Sequence, residues 1–353
     1  MTVIDHFSLH IPKTWYSRRM KLSMGIVGLP NVGKSTLFKL LTDLNITIAN
    51  YPFATIDPNV GIVPVPDDRL QKLSDLTDSK KIIPAVVEFY DIAGLVKGAS
   101  AGEGLGNQFL THIRETNAIV EVLRCFPSGD IIHVEQGVDP IRDMDIINTE
   151  LILKDLDTVD KRIGKLEGEA RADKKKVADL EIVKKIRVAL DEGKMVNAMD
   201  EKTLTEPIIR EMTLLTAKKM IYLLNGAPEH VSDELKEKIK GSGADYVIYD
   251  LHDTLDVNDL ITKAYETLGL ISYFTTGEVE TRAWTIRKGA KAPEAAGEIH
   301  SDFEKKFIRA EVIATEKLIE AGGWKEAKQK GWIRNEGKDY TVADGDVMVI
   351  LHS

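Results

Sequence analysis

Cysteine is nearly missing from this chain: Cys125 stands alone in 353 residues. One thiol cannot form an intramolecular disulfide or a thiolate-rich metal site, and its isolation fits a reducing compartment. Its expected place is a buried strand end. Long apolar runs are missing too. None approaches the roughly 18 residues that a membrane span needs, so the expectation is a soluble, cytoplasmic chain with no membrane partner. Positive charge is not in excess, since 47 Lys and Arg face 56 Asp and Glu for a net charge of -9. That balance excludes a uniformly basic DNA binder and leaves only local basic patches for nucleic acid. Residues 1–20 hold two arginines but also Asp5, and they lack a long apolar core. They make a poor secretory signal and a weak transit peptide. Because Met20 directly precedes the first strand-like run, residues 1–20 read as a leader outside the fold and a candidate non-native start.

What is present is ordinary in bulk, with 43% hydrophobic and 29% charged residues, and the length suits two or three domains. The runs "MGIV", "AVVEFYDIAG", "NAIVEVLRCF", "KKMIYLLNG" and "ADYVIYDL" alternate with amphipathic stretches. That alternation predicts an α/β unit with a mostly parallel sheet, whose ligands gather beyond the carboxyl ends of the strands. Polar punctuation falls there, in "GLPNVGKS", "DIAG" and "NGAPE". From Asp143 to Thr216 the texture turns to Lys, Glu, Asp and Leu. Ile147, Leu151, Lys154 and Leu156 open one helical stripe that continues loosely through Val159, Ile163 and Leu166, and Val177, Leu180, Val183, Ile186 and Leu190 form another. Gly164, Gly168 and "EARADKKK" mark the turn between them, which predicts an antiparallel helical hairpin. Beyond Leu270, two strands around Gly277, a helix over "AGEIHSDFEKKFIRAEVI" and a strand–turn–strand over "DYTVADGDVMVILHS" predict a small α+β module.

The chemistry concentrates in Gly28-Leu29-Pro30-Asn31-Val32-Gly33-Lys34-Ser35, which fits GxxxxGK[ST] with a strand before it and a helix after it. Backbone N–H groups of such a loop wrap a β-phosphate, and the helix N-terminus adds its positive dipole end. Lys34 would bridge the β- and γ-phosphates, while Ser35 would give its hydroxyl oxygen to Mg²⁺. "EFYDIAG" adds the DxxG spacing of switch nucleotide hydrolases. Asp91 would act on the metal through its water shell, and the Gly94 N–H would sense the γ-phosphate. Thr55, between the two motifs, is placed to close over Mg²⁺. Five glycines from Gly94 to Gly106 cost backbone entropy on ordering, a cost that a γ-phosphate-dependent switch can use. Two things are missing from this constellation. No NKxD tetrad reads guanine, and Leu95 follows DxxG where Ras-type enzymes place a water-orienting glutamine.

Taken with "YPFATIDPNVGIVPVPDDRL", "DIAGLVKGASAGEGLGNQFL", "RAWTIRKGAKAPEAAGEIHSDFEKKFIRAEVI" and "EGKDYTVADGDVMVIL", these motifs resemble the YchF/Obg-like ATPase family from about Lys21 to Ser353. The resemblance implies a P-loop NTPase G domain over 21–142 and 217–269. It also implies an inserted coiled-coil hairpin over 143–216 and a β-grasp (TGS) domain over 270–353. It further implies ATP as substrate with GTP as a second one, Mg²⁺ as cofactor, and the ribosome, its large subunit and rRNA as partners. By the same resemblance Asn31, Val32, Gly33, Lys34, Ser35 and Thr36 hold the phosphates, and Ser35 and Thr55 hold the metal. Asn225 and Gly226 meet the adenine, Phe126 packs on the base, Asn31 helps hold an activating K⁺, and His133 helps position water. One departure stands out. The family pattern Asn-x-x-Glu is stretched here to Asn225-Gly-Ala-Pro-Glu229, which re-aims the base pocket and leaves mixed nucleotide use open. An Obg-class GTPase and an ATP-sensing ribosome or RNA binder with vestigial hydrolysis are the rival readings, and a metabolic kinase is a distant one.

Overall fold

Ser23–Val27 (β1) is buried along its whole length, as a strand covered on both faces of a parallel sheet must be. The computed structural model describes residues 23–44, 59–92, 105–127 and 137–353. The leader, Thr55, Gly94, Leu95 and His133 lie outside the described residues. β1 leads through the glycine-rich loop into α1 (Lys34–Asp43). The rest of its sheet comprises β2 (Val60–Pro64), β4 (Val86–Asp91), β5 (Ala118–Arg124), β6 (Lys219–Asn225) and β7 (Asp245–Tyr249). Their order is β2-β4-β1-β5-β6-β7, with β2 antiparallel to β4 and every other pair parallel. The expected parallel sheet is therefore present. Helices α2 (Asp68–Thr77), α3 (Leu105–Glu115), α8 (Asp233–Gly241) and α9 (Asn258–Thr267) complete this unit. The parallel register brings Asp91, the glycine-rich loop, Arg124, Asn225 and Tyr249 to one edge of the sheet.

The hairpin grows out of that core without a joint. Helix α4 runs from Pro140 to Ala172, 33 residues, or about 50 Å at 1.5 Å per residue. Asp139 caps its start by accepting from the Arg142 N–H at 3.0 Å, and Pro140 occupies the first turn, where its missing N–H costs nothing. Met144, Ile147 and Leu151 pack in the sheet core. Ile152, Val159 and Leu166, on the same helix, pack instead with Leu180, Val183, Ile186 and Leu190 of α5 (Lys175–Asp191). Gly164 and Gly168 do not form the turn expected of them. Both lie within α4, where an added Cβ would meet nothing, and the chain reverses at Asp173 and Lys174. Two short helices, α6 (Glu201–Thr205) and α7 (Pro207–Met212), lead back to the sheet.

Asp155 locks the base of the hairpin. Its buried carboxylate accepts from the Leu215 N–H at 3.0 Å, the Thr216 N–H at 2.7 Å and the Thr216 hydroxyl at 2.6 Å. Next to it, Lys218 donates to the carbonyls of Arg114, at 3.2 Å, and Thr116.

The second sheet has the order β11-β10-β12-β8-β9-β3. It contains β8 (Leu270–Thr276), β9 (Thr281–Arg287), β10 (Phe307–Ala314), β11 (Arg334–Glu336) and β12 (Asp346–His352). β8 and β12 run parallel in the middle between antiparallel neighbours, a β-grasp arrangement. α10 (Ala292–Ile299) covers one face through Ala292, Ala295 and Ala296. The helix expected over "AGEIHSDFEKKFIRAEVI" is interrupted. His300 ends α10 and caps the short α11 (Ser301–Lys305), after which Phe307–Ala314 is strand. The reason is the alternation of Phe307, Ala310 and Val312 into the core while Ile308 and Arg309 face out. α12 (Thr315–Ala321) and α13 (Trp324–Gln329) sit on the other face. There Phe274, Ala283, Ile313 and Val347 join the core of the first sheet.

The sixth strand, β3 (Ile82–Ile83), comes from the first unit and pairs with β9. The contact is reinforced by hydroxyls: Thr77 with Thr276 at 2.8 Å, and Ser79 with Thr281 at 2.6 Å. Arg69 adds bonds to Asp67 and Asp344 and lies 5.1 Å from the Phe274 ring centre.

Candidate nucleotide site

The loop between β1 and α1 takes its shape from three left-handed residues, Gly28 (φ 155°), Asn31 (φ 63°) and Gly33 (φ 111°). Gly33 has a second constraint, because a Cβ there would stand 2.4 Å from Asn225 Nδ2. No side chain caps α1 and no acidic residue occupies its first turn. Its open N–H groups therefore face the loop without competition, which is the electrostatic condition for holding an anion. Ser35 and Thr36 are exposed on that first turn, whereas Val32 and Lys34 are buried.

Lys34 is folded onto its own loop. Its Nζ donates to the Gly28 carbonyl at 3.0 Å and the Leu29 carbonyl at 2.7 Å. Burial pulls its pKa down to about 8, against an opposing pull from Asp91. Asp91, at the end of β4 and half-buried, is shifted upward by desolvation, with Lys34 offsetting part of that shift. The two are thus electrostatically coupled, Lys34 at the start of α1 and Asp91 on the strand beside β1, in register with Ile26. The exposed Ser35 hydroxyl and the Asp91 carboxylate form a sparse, all-oxygen donor set. Such a set suits Mg²⁺, which takes one or two protein oxygens and completes its shell with phosphate and water. Among the described residues no cluster of three His, Cys, Asp or Glu side chains offers a dedicated metal cage.

The far side of the site is built from β5, β6 and the loop after β7. Asn225 is almost fully buried; its Nδ2 donates to the Val32 carbonyl at 2.8 Å and its Oδ1 accepts from the Leu251 N–H at 3.1 Å. One amide thus ties three segments together and still keeps a second N–H. Gly226 is needed for a close approach, since a Cβ there would lie 3.0 Å from the Phe126 nitrogen. Phe126 is half-buried, with the Arg124 guanidinium 4.5 Å from its ring centre. The structure therefore gathers Asn31, Val32, Gly33, Lys34, Ser35, Thr36, Asp91, Phe126, Asn225 and Gly226 at one edge of the sheet.

Reading the sequence alone missed two participants, Leu251 and Arg124, and one buried acid farther back on β5, Glu121. Leu251 carries no motif, and only its place after the fifth apolar run hinted at it. Arg124 was passed over as part of a strand. Glu121, level with Val27 at the end of β1, is fully buried, and neither carboxylate oxygen has a hydrogen-bond partner among the described residues. Burial first, then the nearby Asp143 and Asp145, push its pKa well above the usual carboxylate range. The signal for Glu121 was an acidic residue in the middle of "AIVEVL". The tryptophans of the C-terminal part are mainly structural: Trp284 is buried, while Trp324 and Trp332 pack partly against the core.

A glycine-rich loop leading from a buried central strand into an uncapped helix, with an aspartate ending the neighbouring strand, defines a P-loop nucleotide hydrolase. Consistent with that class, a model described as "50S ribosome-binding GTPase" (MMR_HSR1) matches residues 23–163. The model YchF-GTPase_C, described as a protein of unknown function (DUF933), matches residues 270–353. The chain is 46% identical to the ribosome-binding ATPase YchF of Bacillus subtilis, over 93% of this chain and 98% of that protein. It is 45% identical to the protein of the same name in Escherichia coli O157:H7, over 94% and 99%. A solved structure of the Schizosaccharomyces pombe YchF GTPase superposes with a TM-score of 0.83 at 37% identity, covering 94% of this chain and 98% of that one. The chain belongs to the YchF family.

Proposed function

We propose that the chain is a ribosome-associated nucleotide hydrolase that binds ATP with Mg²⁺ in the glycine-rich loop and changes conformation with the γ-phosphate. The observation that carries the reading is the near full-length match to relatives named ribosome-binding ATPase, together with an intact loop and Lys34. The N–H groups of Asn31 to Thr36 would wrap the phosphates. Lys34 would leave the Gly28 and Leu29 carbonyls for phosphate oxygens, and the anion would restore the pKa that burial depresses. Ser35 and Thr55 would hold the Mg²⁺, with Asp91 acting through water, and a bound ion would supply positive charge to the phosphoryl oxygens. Gly94 would report the γ-phosphate. Because Leu95 cannot orient water, His133 is the proposed positioning group, and Asn31 would help hold a K⁺ that adds positive charge near the leaving group.

At the base, Phe126 would offer a stacking surface, and Asn225 with Gly226 would meet the purine edge. The partner surface on the ribosome is proposed to be on the large subunit and to include rRNA. With a net charge of -9, contact with RNA must be focused on local basic patches.

Mg²⁺-dependent titration calorimetry with ATP and with GTP tests the nucleotide, and co-sedimentation with ribosomal subunits tests the partner. The expected result is ATP binding at least as tight as GTP binding, with nucleotide-dependent co-sedimentation. A hundredfold preference for GTP favours the second reading, a GTPase. That reading draws support from the description of the Schizosaccharomyces pombe relative as a GTPase. Turnover no greater than that of a Lys34→Ala variant, with ribosomes and K⁺ present, would leave a nucleotide sensor in place of a hydrolase.

A further inference from the structure

We infer that Arg124 is a positioning residue for the purine base, acting through Phe126; the inference rests on the nucleotide reading above. Arg124 ends β5, in register with Asn225 on β6. Its side chain is fully buried, a rare condition for arginine unless something holds it. Two contacts do so on one neighbour. The guanidinium lies 4.5 Å from the Phe126 ring centre, and Nε donates to the Phe126 carbonyl at 3.3 Å. One flat group thus fixes both the ring and the backbone that carries it.

The backbone around the ring is fixed as well. The Cys125 N–H donates to the Asn225 carbonyl at 2.8 Å, and Gly226 leaves just enough room for the Phe126 nitrogen. The backbone that carries Phe126 is therefore tied to that of Asn225, whose side-chain amide is bonded to the glycine-rich loop. The ring is only half-buried. The guanidinium stands against it, and the ring follows the carboxyl end of β5.

Burying a guanidinium is costly, and an aliphatic side chain would fill the same space at less cost. What an aliphatic chain cannot do is bond a carbonyl and set a cation over a ring at once. Lysine cannot do so either, because its ammonium is a point charge on a flexible stem. Holding the ring in one plane removes the ordering cost that a base would otherwise meet on stacking. The effect should appear for a ligand with a base and not for the phosphates alone.

The test is calorimetry with Mg²⁺ and two probes, ATP and inorganic tripolyphosphate, on the full chain. Arg124→Met and Arg124→Lys should each weaken ATP by about tenfold, the scale of a desolvated cation–π contact, and leave tripolyphosphate within about twofold. Phe126→Leu should weaken ATP by a similar factor, and adding Arg124→Lys to it should cost little more. Equal weakening of both probes would overturn the inference in favour of general packing, as would unchanged ATP affinity. If Arg124→Met fails to fold, Arg124→Lys and the Phe126→Leu pair still decide. Wild-type protein that binds tripolyphosphate but no purine triphosphate would instead overturn the nucleotide reading, and that result is distinguishable because it precedes any variant.

Discussion

The glycine-rich loop and the neck of the helical hairpin each bury a lysine near an aspartate. Burial lowers both lysines to about 8 and raises both aspartates. At the neck every partner is spent. Asp155 takes three hydrogen bonds from Leu215 and Thr216, and Lys218 donates to two carbonyls that end α3 and its following turn. At the loop, Lys34 rests on two carbonyls of a segment with three left-handed residues. Among the described residues no side-chain hydrogen bond reaches the Asp91 carboxylate. The same residue types, with lysines desolvated to a similar degree and an aspartate that is buried at the neck and half-buried at the loop, hold a fold together in one place and stand ready for an anion in the other. Whether the surrounding donors are saturated is what separates the two.

That contrast can be broken most sharply at Lys34. Lys34→Ala should weaken ATP binding at least about a hundredfold, since charge-assisted bonds to phosphate vanish. Thermal unfolding should move little, and calorimetry beside a melting curve checks both. A large loss of stability would make Lys34 a structural residue like Lys218.

Asp155→Ala is expected to do the reverse. Removing a buried acceptor strands three donors and should cost about 3 kcal/mol in urea unfolding, with ATP affinity unchanged. Lys218→Met should be milder, about 1–2 kcal/mol, because its stem is replaced and only the two bonds to carbonyls are lost.

The smallest effect is the most specific. Glu121 has a folded pKa raised well above the ordinary value. Above the unfolded pKa of about 4.3 the native state therefore holds the extra proton, and stability falls as pH rises through that window. Glu121→Gln keeps the neutral shape without the proton. Its melting temperature should match the wild type near pH 4 and exceed it by a few degrees at pH 8, at about 2–4 °C per kcal/mol. A variant less stable at pH 8 would mean that the carboxylate is ionised and partnered.

Much of the site was legible because it is local. Residues 28–35 lie on consecutive peptide units, so spacing alone implies the backbone nest, and Asp91 announces itself by ending an apolar run. The hairpin was legible from its stripes and its turn from "EARADKKK", where the chain does reverse at Asp173 and Lys174, but Gly164 and Gly168 were wrongly read as part of that turn. In a helix packed against both cores from Met144 to Leu166, two glycines at roughly 1 kcal/mol each do not end it. Asp155 occupies the next place in the four-residue stripe of Ile147 and Leu151, ahead of Val159. An acid in that row signalled a buried clasp, and it went unread because its partners lie 60 and 61 residues away.

The sequence by itself determined the phosphate loop, the parallel strands with their carboxyl-end ligands, and a helical excursion. These depend on periodicity and on contacts between near neighbours. Only the tertiary structure decided that β3 leaves the first unit to complete the second sheet. It alone placed Asn225 against Val32, 193 residues away, and set Arg124 under the ring of Phe126. Those arrangements depend on which strand ends meet, and strand order is chosen by how whole faces bury one another rather than by any short run of residues.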